Sequence, residues 1–562
     1  MYTGRKKRLG DLLVEVGKIT NEQLMHALSM QKKSGKKLGE ILVQEEYVTE
    51  EQIVEVLEMQ LGISQVVLAD YDIDTEATIL ISESLAKRHD LIPIKKEENV
   101  LIVAMSDPLN IFAIDDVKIF SGLDVRPVIA SAREIGKAID IYYGEQEAMK
   151  AAEEYKKEYG IIEQAATIEG NLEDVVNSAP IVKLVNSIIE QGIRIKASDI
   201  HIEPYNQYIR IRYRVDGQLK EGMRHEIQLL PAIVTRIKIA GDMNIAEKRK
   251  PQDGRISMVV DHNDYDLRIS ILPTIHGEKI VIRIIDKDGL LKSKDKLGLF
   301  QDDLKKFENI LRHPYGIILI TGPTGSGKTT TLYTTIRELN SETINIITVE
   351  DPVETKLEGI NQVQVNPKAG IDFAGALRAI LRQDPNIIML GEIRDTETVE
   401  IAVRAAVTGH LVVSTLHTND AASTIARLLD MDIERFLIST SLVGVISQRL
   451  IRKICPKCKE VYKPSDDEMK ILGLTEADNV VIYKGKGCNN CNNTGYQGRM
   501  GIYEIMPMTP NIRSLINKGA SSDAIKEQGI EEGMHTLKES CIRRVIEGTT
   551  TVEELIRVAY AL

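Results

Sequence analysis

The chain has 562 residues, too many for a single hydrophobic core, and this length predicts three or more domains. Hydrophobic residues make up 43% and charged residues 27%, as in ordinary soluble proteins, and no apolar run reaches the ~18 residues that a membrane-spanning helix needs. The net charge of −12 weighs against a surface built to bind polyphosphate, and the N-terminus lacks the apolar core of a secretory signal. We therefore expect a cytosolic protein with reduced thiols.

Two related segments open the chain. Residues 8–31 read RLGDLLVEVGKITNEQLMHALSMQ, residues 37–60 read KLGEILVQEEYVTEEQIVEVLEMQ, and the five residues KKSGK separate them. Each segment contains a short apolar helix, a threonine N-cap (Thr20 or Thr49) and a second amphipathic helix. The pattern predicts a helical tandem repeat over residues 1–62.

The composition then changes three times along the chain. Residues 63–144 alternate short strands such as VLIVAMS with helices, which predicts a small α/β subdomain. Residues 145–172 are rich in Glu, Lys and Ala with little to bury, so we predict a linker. Residues 173–290 combine an apolar-periodic helix with alternating strands and an Asp216-Gly217 hairpin turn, which predicts a second α/β domain. From residue 291, buried strands alternate with helices, as in a parallel sheet wound by helices.

A phosphate-binding loop follows in the run YGIILITGPTGSGKTTTLYTTI, which has the required order of strand, glycine loop and helix. We predict that Lys328 reaches the β- and γ-phosphates of a nucleotide and that the Thr329 hydroxyl ligates Mg²⁺. The complete motif in this context disfavours the alternative, a plain glycine turn. The predicted ATP-binding residues are Gly322, Pro323, Thr324, Gly325, Ser326, Gly327, Lys328, Thr329 and Thr330.

Acidic residues follow two further predicted strands. NIIML is followed by GEIRD, where Gly391 stands at the place of the Mg²⁺-binding Asp of many P-loop enzymes. Glu392 is therefore the best candidate to orient and activate the attacking water. INIITV ends in Glu350 and Asp351, which are candidates for the metal or the water, with a cap or turn role as the alternative.

Histidines lie within or next to predicted strands. The strand LVVST leads into LHTNDA, where His417 is predicted to sense the γ-phosphate, whereas for His410 a functional and a packing role are equally open. In SDIHIEP, Asp199, His201 and Glu203 alternate along one strand face, which admits a metal site. Since no other ligand cluster is evident nearby, a solvated or interfacial face is the favoured interpretation.

Four cysteines form the pattern C-x2-C-x29-C-x2-C, which predicts tetrahedral Zn²⁺ held by four thiolates in a closed structural site. The ligands are Cys455, Cys458, Cys488 and Cys491, in a lobe over residues 451–505. Cys541 stands apart and is predicted to be a small buried hydrophobe. Residues 506–562 are predicted to be helical.

These motifs carry a family resemblance. GPTGSGKTTTLY, TVEDPVE, LRAILRQDP, GEIRD and TGHLVVSTLHTNDA, in that order, resemble the ATPases of type II secretion and type IV pilus assembly. ASDIHIEP, RYRVDG, EKRKPQDGRI and LRISILPTIHGEKIVIR resemble the domain that precedes the motor in the same family. The resemblance implies a multidomain α/β protein with a RecA-like P-loop motor over residues 291–450 and a parallel sheet. It also implies a PAS-like α/β domain before the motor.

The resemblance further implies a cytoplasmic homohexamer that hydrolyses Mg·ATP to drive type IV pilus assembly, in contact with an inner-membrane platform protein. Four arginines are implied to neutralise phosphate charge, with a surface role as the alternative for some of them: Arg268, Arg283, Arg378 and Arg382. Type II secretion by the same machine is the alternative within the family. A nucleic-acid-translocating zinc-ribbon ATPase is a rival of another class, and it is disfavoured because the lobe lacks stacked aromatic residues and a basic stripe.

The N-terminal repeat resembles the cyclic-di-GMP-binding domain at the front of some pilus-assembly ATPases. In the second copy Lys37, Glu46 and Ile53 replace the Arg, Gly and Leu of the pattern, and lysine cannot reproduce a planar guanidinium fork. Ligand binding and a purely structural docking role therefore both remain open. The implied ligand-binding residues are Arg8, Leu9, Gly10, Leu13, Gly17, Leu24, Leu28, Gln31, Lys37, Leu38, Gly39, Leu42, Leu57 and Gln60.

Overall fold

The computed structural model describes residues 9–34, 38–45, 47–49, 52, 56, 63–68, 71, 73–108, 110–132, 134–136, 138–139, 142–143, 179–261, 263–286, 293–475, 480–491 and 493–560. The predicted linker over residues 145–172 lies outside the described residues, as do Arg8, Lys37, Leu57 and Gln60. The chain divides into two compact units, residues 1–262 with 267–284 and residues 263–266 with 285–562.

The described residues of the N-terminal repeat form helices, as predicted for that part of it. The Thr20 hydroxyl accepts a hydrogen bond from the backbone N–H of Gln23, and the Gln23 side chain accepts one from the backbone N–H of Thr20. Thr49 and Gln52 repeat this reciprocal cap in the second copy. Such a cap fixes where each helix begins. The described helices here are α1 (Leu9–Glu15), α2 (Asn21–Ser34) and α3 (Leu38–Gln44).

The small α/β subdomain has a three-stranded sheet of order β1-β2-β3, in which β2 pairs antiparallel with β1 and parallel with β3. The predicted strand VLIVAMS forms β2, which is buried because helices cover it. The elements are α4 (Thr75–Thr78), α5 (Glu83–His89), β1 (Leu91–Glu97), β2 (Val100–Met105), α6 (Ile111–Ser121) and β3 (Asp124–Ile129).

The second α/β domain contains a six-stranded sheet of order β6-β5-β4-β9-β8-β7. Asp216 and Gly217 both have positive φ, 49° and 86°, as a tight hairpin turn between β5 and β6 requires. The elements are α7 (Ala179–Arg194), β4 (Asp199–Pro204), β5 (Tyr208–Val215), β6 (Gln218–Glu226), α8 (Leu230–Ala240), β7 (Gln252–Val260), β8 (Asn263–Thr274) and β9 (Gly277–Asp286).

A seven-stranded sheet of order β12-β11-β13-β14-β10-β15-β18 forms the centre of the other unit. Its strands are parallel except β18, which runs antiparallel to β15. Strands β10, β11, β13 and β14 are buried at every position, as expected for a parallel sheet covered on both faces. The strands are β10 (Gly316–Thr321), β11 (Ile346–Glu350), β12 (Asn361–Gln364), β13 (Ile387–Leu390), β14 (Leu411–Leu416), β15 (Leu442–Ile454) and β18 (Tyr496–Pro507).

Helices surround this sheet, and the cysteine lobe is inserted between β15 and β18. The lobe contains β16 (Lys459–Tyr462), α15 (Asp466–Leu472) and β17 (Ile482–Gly485). The helices beside the sheet are α9 (Gln301–Leu311), α10 (Lys328–Leu339), α11 (Phe373–Ile380), α12 (Thr396–Val407), α13 (Ser423–Asp430) and α14 (Arg435–Ser441). The C-terminal helices are α16 (Pro510–Lys518), α17 (Ser522–Glu531), α18 (Leu537–Ile546) and α19 (Val552–Tyr560). Cys541 lies on α18 and is fully buried in a core that includes residues of α19, as predicted.

Candidate active site

The glycine loop joins the end of β10 to the start of α10, in the predicted order of strand, loop and helix. Gly322 and Gly327 have φ values of 145° and 88°, a region that side chains rarely adopt. A Cβ atom at Gly322 would lie 2.4 Å from the backbone carbonyl oxygen of Gln448. A Cβ atom at Gly327 would lie 2.8 Å from the side-chain nitrogen Nε2 of Gln448. The loop therefore needs glycine at both positions to turn and to approach β15.

The polar groups of the loop fit a bound phosphate. The Lys328 ammonium donates to the carbonyl oxygens of Gly322 (2.8 Å) and Pro323 (3.1 Å), which holds it over the loop. The Ser326 hydroxyl is buried and has no hydrogen-bond partner among the described residues, and no side chain caps the start of α10. Thr329 is exposed in the first turn of α10, where its hydroxyl can reach a bound ion. N–H and O–H donors gathered around one cation form an anion-binding cradle.

Lys328 itself is electrostatically unusual. Burial, opposed by the negative charge of Glu392 and reinforced by the positive charge of Arg449, lowers the pKa of Lys328 to about 8. A polyphosphate beside the ammonium would supply the missing counter-charge. A bound anion would therefore stabilise the charged form of Lys328.

Glu392 lies just after β13 at the carboxyl edge of the sheet, the edge at which β10 leads into the glycine loop. Its Oε1 accepts a hydrogen bond from Arg394, and its Oε2 lies 3.4 Å from Nε2 of His417, which follows β14. Burial opposes ionisation of Glu392, but the hydrogen bond and charge of Arg394, with a smaller contribution from His417, outweigh it and lower the pKa of the carboxyl. Glu392 is therefore a carboxylate at neutral pH and can accept a hydrogen bond from water.

The other two acids occupy different surroundings. Glu350 is buried, and its oxygens accept hydrogen bonds from Tyr333, from Thr348 (2.7 Å) and from Gln362 (3.0 Å). Asp351 is exposed and lies 3.9 Å from Arg394, so one arginine bridges Asp351 and Glu392. Asp351 is thus accessible to a metal or water, whereas Glu350 is already enclosed by side chains.

The two histidines have distinct positions. His417 is half-exposed beside Glu392. His410 Nδ1 lies 3.0 Å from the carbonyl oxygen of Ala405 and therefore donates to it, since a carbonyl can only accept. This bond closes the carboxyl end of α12, which favours the packing role for His410.

The four predicted arginines lie in pairs, one pair in each unit. On β9, Arg283 donates to Asp199 Oδ1 at 3.2 Å and is otherwise exposed, and Arg268 is half-buried on β8. In the unit with the glycine loop, Arg378 donates to Glu397, and Arg382 donates to the carbonyl oxygen of Arg378 at 2.8 Å. Their phosphate-neutralising role stays a prediction.

The acidic face of β4 pairs with arginines of β5. Asp199, His201 and Glu203 lie opposite Arg214, Arg212 and Arg210 of β5, in that order. Burial opposes the charge on Glu203, but hydrogen bonds and charges from Arg212 and Lys279 lower its pKa to about 2. In the described part of the chain, the cluster placed to hold a metal is the one formed by the four cysteines.

The four cysteine sulfurs fit a tetrahedral metal. All four cysteines are buried, their sulfurs lie within 4.8 Å of one another, and three of the separations are 3.7, 3.8 and 3.9 Å. A tetrahedron with Zn–S bonds of about 2.3 Å has edges of about 3.8 Å. Burial opposes ionisation of Cys491, but backbone N–H groups of Cys488 and Gly495, each 3.2 Å from its sulfur, bring the pKa of the thiol to about 7. The donor set and its spacing suit Zn²⁺.

Comparisons with known proteins agree with this geometry. The family described as "Type II/IV secretion system protein" matches residues 174–557, and the MshEN domain family matches residues 61–149. The chain belongs to the type II/IV secretion system protein family. It is 43% identical to the type IV pilus assembly ATPase PilB of Myxococcus xanthus, over 98% of each chain. It is 39% identical to the type II secretion system protein E of Xanthomonas campestris pv. campestris, also over 98% of each chain.

A solved structure supports the fold of this secretion ATPase. The X-ray structure of the Yersinia pseudotuberculosis ATPase DotB matches with a TM-score of 0.51 and 21% identity, over 68% of this chain and 94% of that chain. That likeness concerns the fold alone. Together, the family and the glycine-loop geometry support ATP hydrolysis as the activity. Among the described residues, no helix combines the length and the apolar character needed to cross a membrane.

Several residues of the secretion ATPase site were not predicted from the sequence. Arg394 bridges two acids, Gln448 accepts a hydrogen bond from Thr331 in α10 at 2.7 Å, and Arg449 contacts Asn419. Arg394 could have been found, since it lies two residues after Glu392 in GEIRD. Gln448 and Arg449 lie on β15 and carry no motif of their own.

The low pKa of Lys328 predicts a pH-dependent affinity for nucleotide. A bound phosphate stabilises the ammonium, so binding above pH 8 requires uptake of a proton and affinity falls as pH rises. Calorimetric ATP titrations in buffers of different ionisation enthalpy should show little proton uptake at pH 7 and nearly one proton at pH 9. The Lys328→Arg variant, whose guanidinium stays charged, should lose this uptake. Equal uptake in both proteins would contradict the assignment.

Proposed function

We propose that this chain is a hexameric, Mg²⁺-dependent ATPase that drives type IV pilus assembly, extracting and polymerising pilin subunits at the inner membrane. The observation that carries the proposal is the 43% identity over 98% of both chains to the pilus assembly ATPase PilB of Myxococcus xanthus. Relatives with the same printed name from Thermus thermophilus and Pseudomonas aeruginosa are each 42% identical and cover 98% and 89% of this chain.

In this proposal the glycine loop, residues 322–330, binds the phosphates of ATP, with Lys328 beside the β- and γ-phosphates. Thr329 and Asp351 are the exposed groups that would hold Mg²⁺, which supplies charge neutralisation when bound. Glu392 orients the attacking water because its carboxylate is ionised and half-buried beside His417. Glu350 positions β11 through its three hydrogen bonds, and His417 reports on the γ-phosphate. The arginines Arg268, Arg283, Arg378 and Arg382 neutralise developing charge.

The proposed partners follow from the same family. The protein acts as a homohexamer at the cytoplasmic face of the inner membrane and contacts a platform protein of the machine. The PAS-like domain precedes the RecA-like motor, and a Zn²⁺ ion braces the cysteine lobe. No nucleic acid is expected as a partner, because the sequence offers no basic, aromatic surface beside the lobe.

Type II protein secretion is the second candidate function, since the Xanthomonas campestris protein E matches over the same share of the chain at 39% identity. Deleting the gene and complementing it with the wild type or with Lys328→Ala separates the two. The proposal expects loss of surface fibres with exoprotein release unchanged, and rescue only by the wild type. Normal fibres with lost exoprotein release would establish the secretion function instead.

We also propose that the N-terminal region binds cyclic-di-GMP. The MshEN match over residues 61–149 supports this, as does the resemblance of the repeat to the cyclic-di-GMP-binding pattern. Several of the predicted ligand residues contribute side chains to the core. Leu13, Leu24 and Leu42 are buried there, whereas Leu28, Gln31, Leu38 and Gly39 are partly accessible.

Calorimetric titration of the full-length protein with cyclic-di-GMP tests this proposal. We expect micromolar or tighter binding that Arg8→Ala abolishes and the charge-matched control Lys7→Ala retains, since the guanidinium at position 8 can both stack on guanine and pair with phosphate. Absence of heat from the folded wild type would assign the repeat a docking role.

A further inference from the structure

Two buried arginines lie three residues apart on β15 and point to different parts of their unit. Arg449 is 7% exposed, and its Nη2 donates to the side-chain oxygen of Asn419 at 3.2 Å and lies 3.5 Å from the Asn419 carbonyl oxygen. Arg452 is 5% exposed and donates to Glu554 of α19 at 2.8 Å, next to the cysteine lobe. One strand thus contacts both the segment after β14 and the C-terminal helices.

The segment after β14, residues 417–421, carries His417 at its first position. Strands β15 and β18 hold this segment at three points. Arg449 binds Asn419, Ser447 donates to the Asn419 carbonyl oxygen at 3.4 Å, and Glu504 accepts from the backbone N–H of Ala421 at 2.7 Å. The position of the imidazole beside Glu392 therefore depends on these contacts.

Of these three contacts, the one from Arg449 places the strictest requirement on the chemistry of its side chain. Burying a guanidinium costs free energy unless its N–H groups are hydrogen-bonded, and a shorter or unbranched cation cannot reproduce the planar fork. An apolar side chain at position 449 would pack in β15 without needing hydrogen-bond partners. Gln448, the neighbour of Arg449, lies against the glycine loop, since a Cβ atom at Gly322 would lie 2.4 Å from the Gln448 carbonyl oxygen.

We propose that Arg449 is a positioning residue for ATP hydrolysis: it fixes the segment 417–421 through Asn419 and thereby places His417 against Glu392. The inference rests on the proposed role of Glu392 as the residue that orients water. Arg449 acts through other residues in this account and forms no bond to the reacting atoms. Its loss should impair turnover more than nucleotide binding.

The test compares Arg449→Lys with Arg452→Lys in the full-length protein, because both changes keep a positive charge at a buried site on one strand. Arg449→Lys should lower kcat at least about tenfold with KM for ATP changed less than about twofold, since misplacement of a reacting group penalises the chemical step. Arg452→Lys should lower the unfolding temperature and leave kcat unchanged, because its contacts are with Glu554 and Glu553.

The single variant Asn419→Ala provides a second measurement if Arg449→Lys folds poorly, and a double-mutant cycle provides one if it folds well. Asn419 is exposed, so Asn419→Ala removes the same contact from a tolerant position. We expect Asn419→Ala to lower kcat similarly, and Arg449→Lys to add little to it. Additive losses, a loss confined to KM, or equal losses of kcat in the Arg449 and Arg452 variants would overturn the proposal.

The Glu392→Gln variant distinguishes a failure of the positioning role of Arg449 from a failure of the water-orienting role of Glu392. If Glu392→Gln is inactive while Arg449→Lys behaves as the wild type, the positioning role alone is wrong. If Glu392→Gln hydrolyses ATP normally, the water-orienting role is wrong and the positioning role falls with it.

Discussion

Replacing Glu392 by glutamine is expected to abolish steady ATP hydrolysis and to leave nucleotide binding intact. Glutamine keeps the size of the side chain and can still accept the hydrogen bond from Arg394. It loses the negative charge that the wild-type carboxyl carries at neutral pH because its pKa is lowered. Removing a positioned general base typically reduces the rate by about 10²–10⁴-fold.

The measurement is phosphate release at saturating Mg·ATP beside a nucleotide-binding titration. Glu400→Gln is the matched control, because Glu400 is an exposed acid on α12 whose carboxylate lies 4.0 Å from Arg404. We expect the control to hydrolyse ATP at the wild-type rate and both variants to bind nucleotide alike. Undiminished turnover by Glu392→Gln would show that another group orients the water.

Removal of one cysteine ligand is expected to have the largest effect on stability. Cys455→Ser should release the metal and unfold the lobe between β15 and β18, because the described residues of the lobe contribute two short paired strands and one short α-helix to support it. The free energy supplied by a structural zinc is on the order of 10 kcal/mol in small domains. Burial also raises the pKa of the Cys458 thiol, and a bound metal would supply the positive charge that stabilises its thiolate.

Metal content and limited proteolysis of the purified protein measure this effect. We expect one zinc per wild-type chain, none in Cys455→Ser, and new cleavage within residues 455–495 of the variant. Cys541→Ala serves as the control, since Cys541 is equally buried but lies outside the cluster. It should keep its zinc despite some loss of packing. A wild-type chain that binds no zinc yet resists proteolysis would contradict the assignment.

The sequence was most informative where chemistry depends on neighbours along the chain. The glycine loop needs a fixed run of residues between a strand and a helix, and the paired cysteines need a fixed short spacing, so both were predicted with their residues. Glu392 and His417 were found because acids and histidines at the carboxyl ends of parallel strands meet at one edge of the sheet.

The sequence was less informative where a contact depends on which strands lie side by side. Alternation on β4 and β5 shows which residues share a face, but not that Glu203 would be neutralised by Arg210 and Arg212. Likewise, nothing local to Glu350 indicates that Tyr333 and Gln362 enclose it. Such pairs are set by sheet order and register, which arise from packing of the whole domain.

The same reasoning explains why β15 was overlooked. Its sequence VGVISQRLIRKI looks like an ordinary buried strand. Gln448 nevertheless contacts the helix that follows the glycine loop, and Arg449 contacts the segment after β14. Polar residues within a buried strand are the one local clue. Because burying such groups requires hydrogen-bond partners, they mark positions where a strand contacts another polar segment, as Arg449 contacts Asn419.

ATP turnover by the purified full-length protein, measured for the wild type and for Lys328→Ala, tests directly whether the glycine loop supports ATP hydrolysis. We expect steady release of phosphate from Mg·ATP by the wild type and none by the variant, because the ammonium over the glycine loop is the principal cation for the phosphates. Equal turnover by both proteins would contradict the account, and so would a folded wild type without turnover.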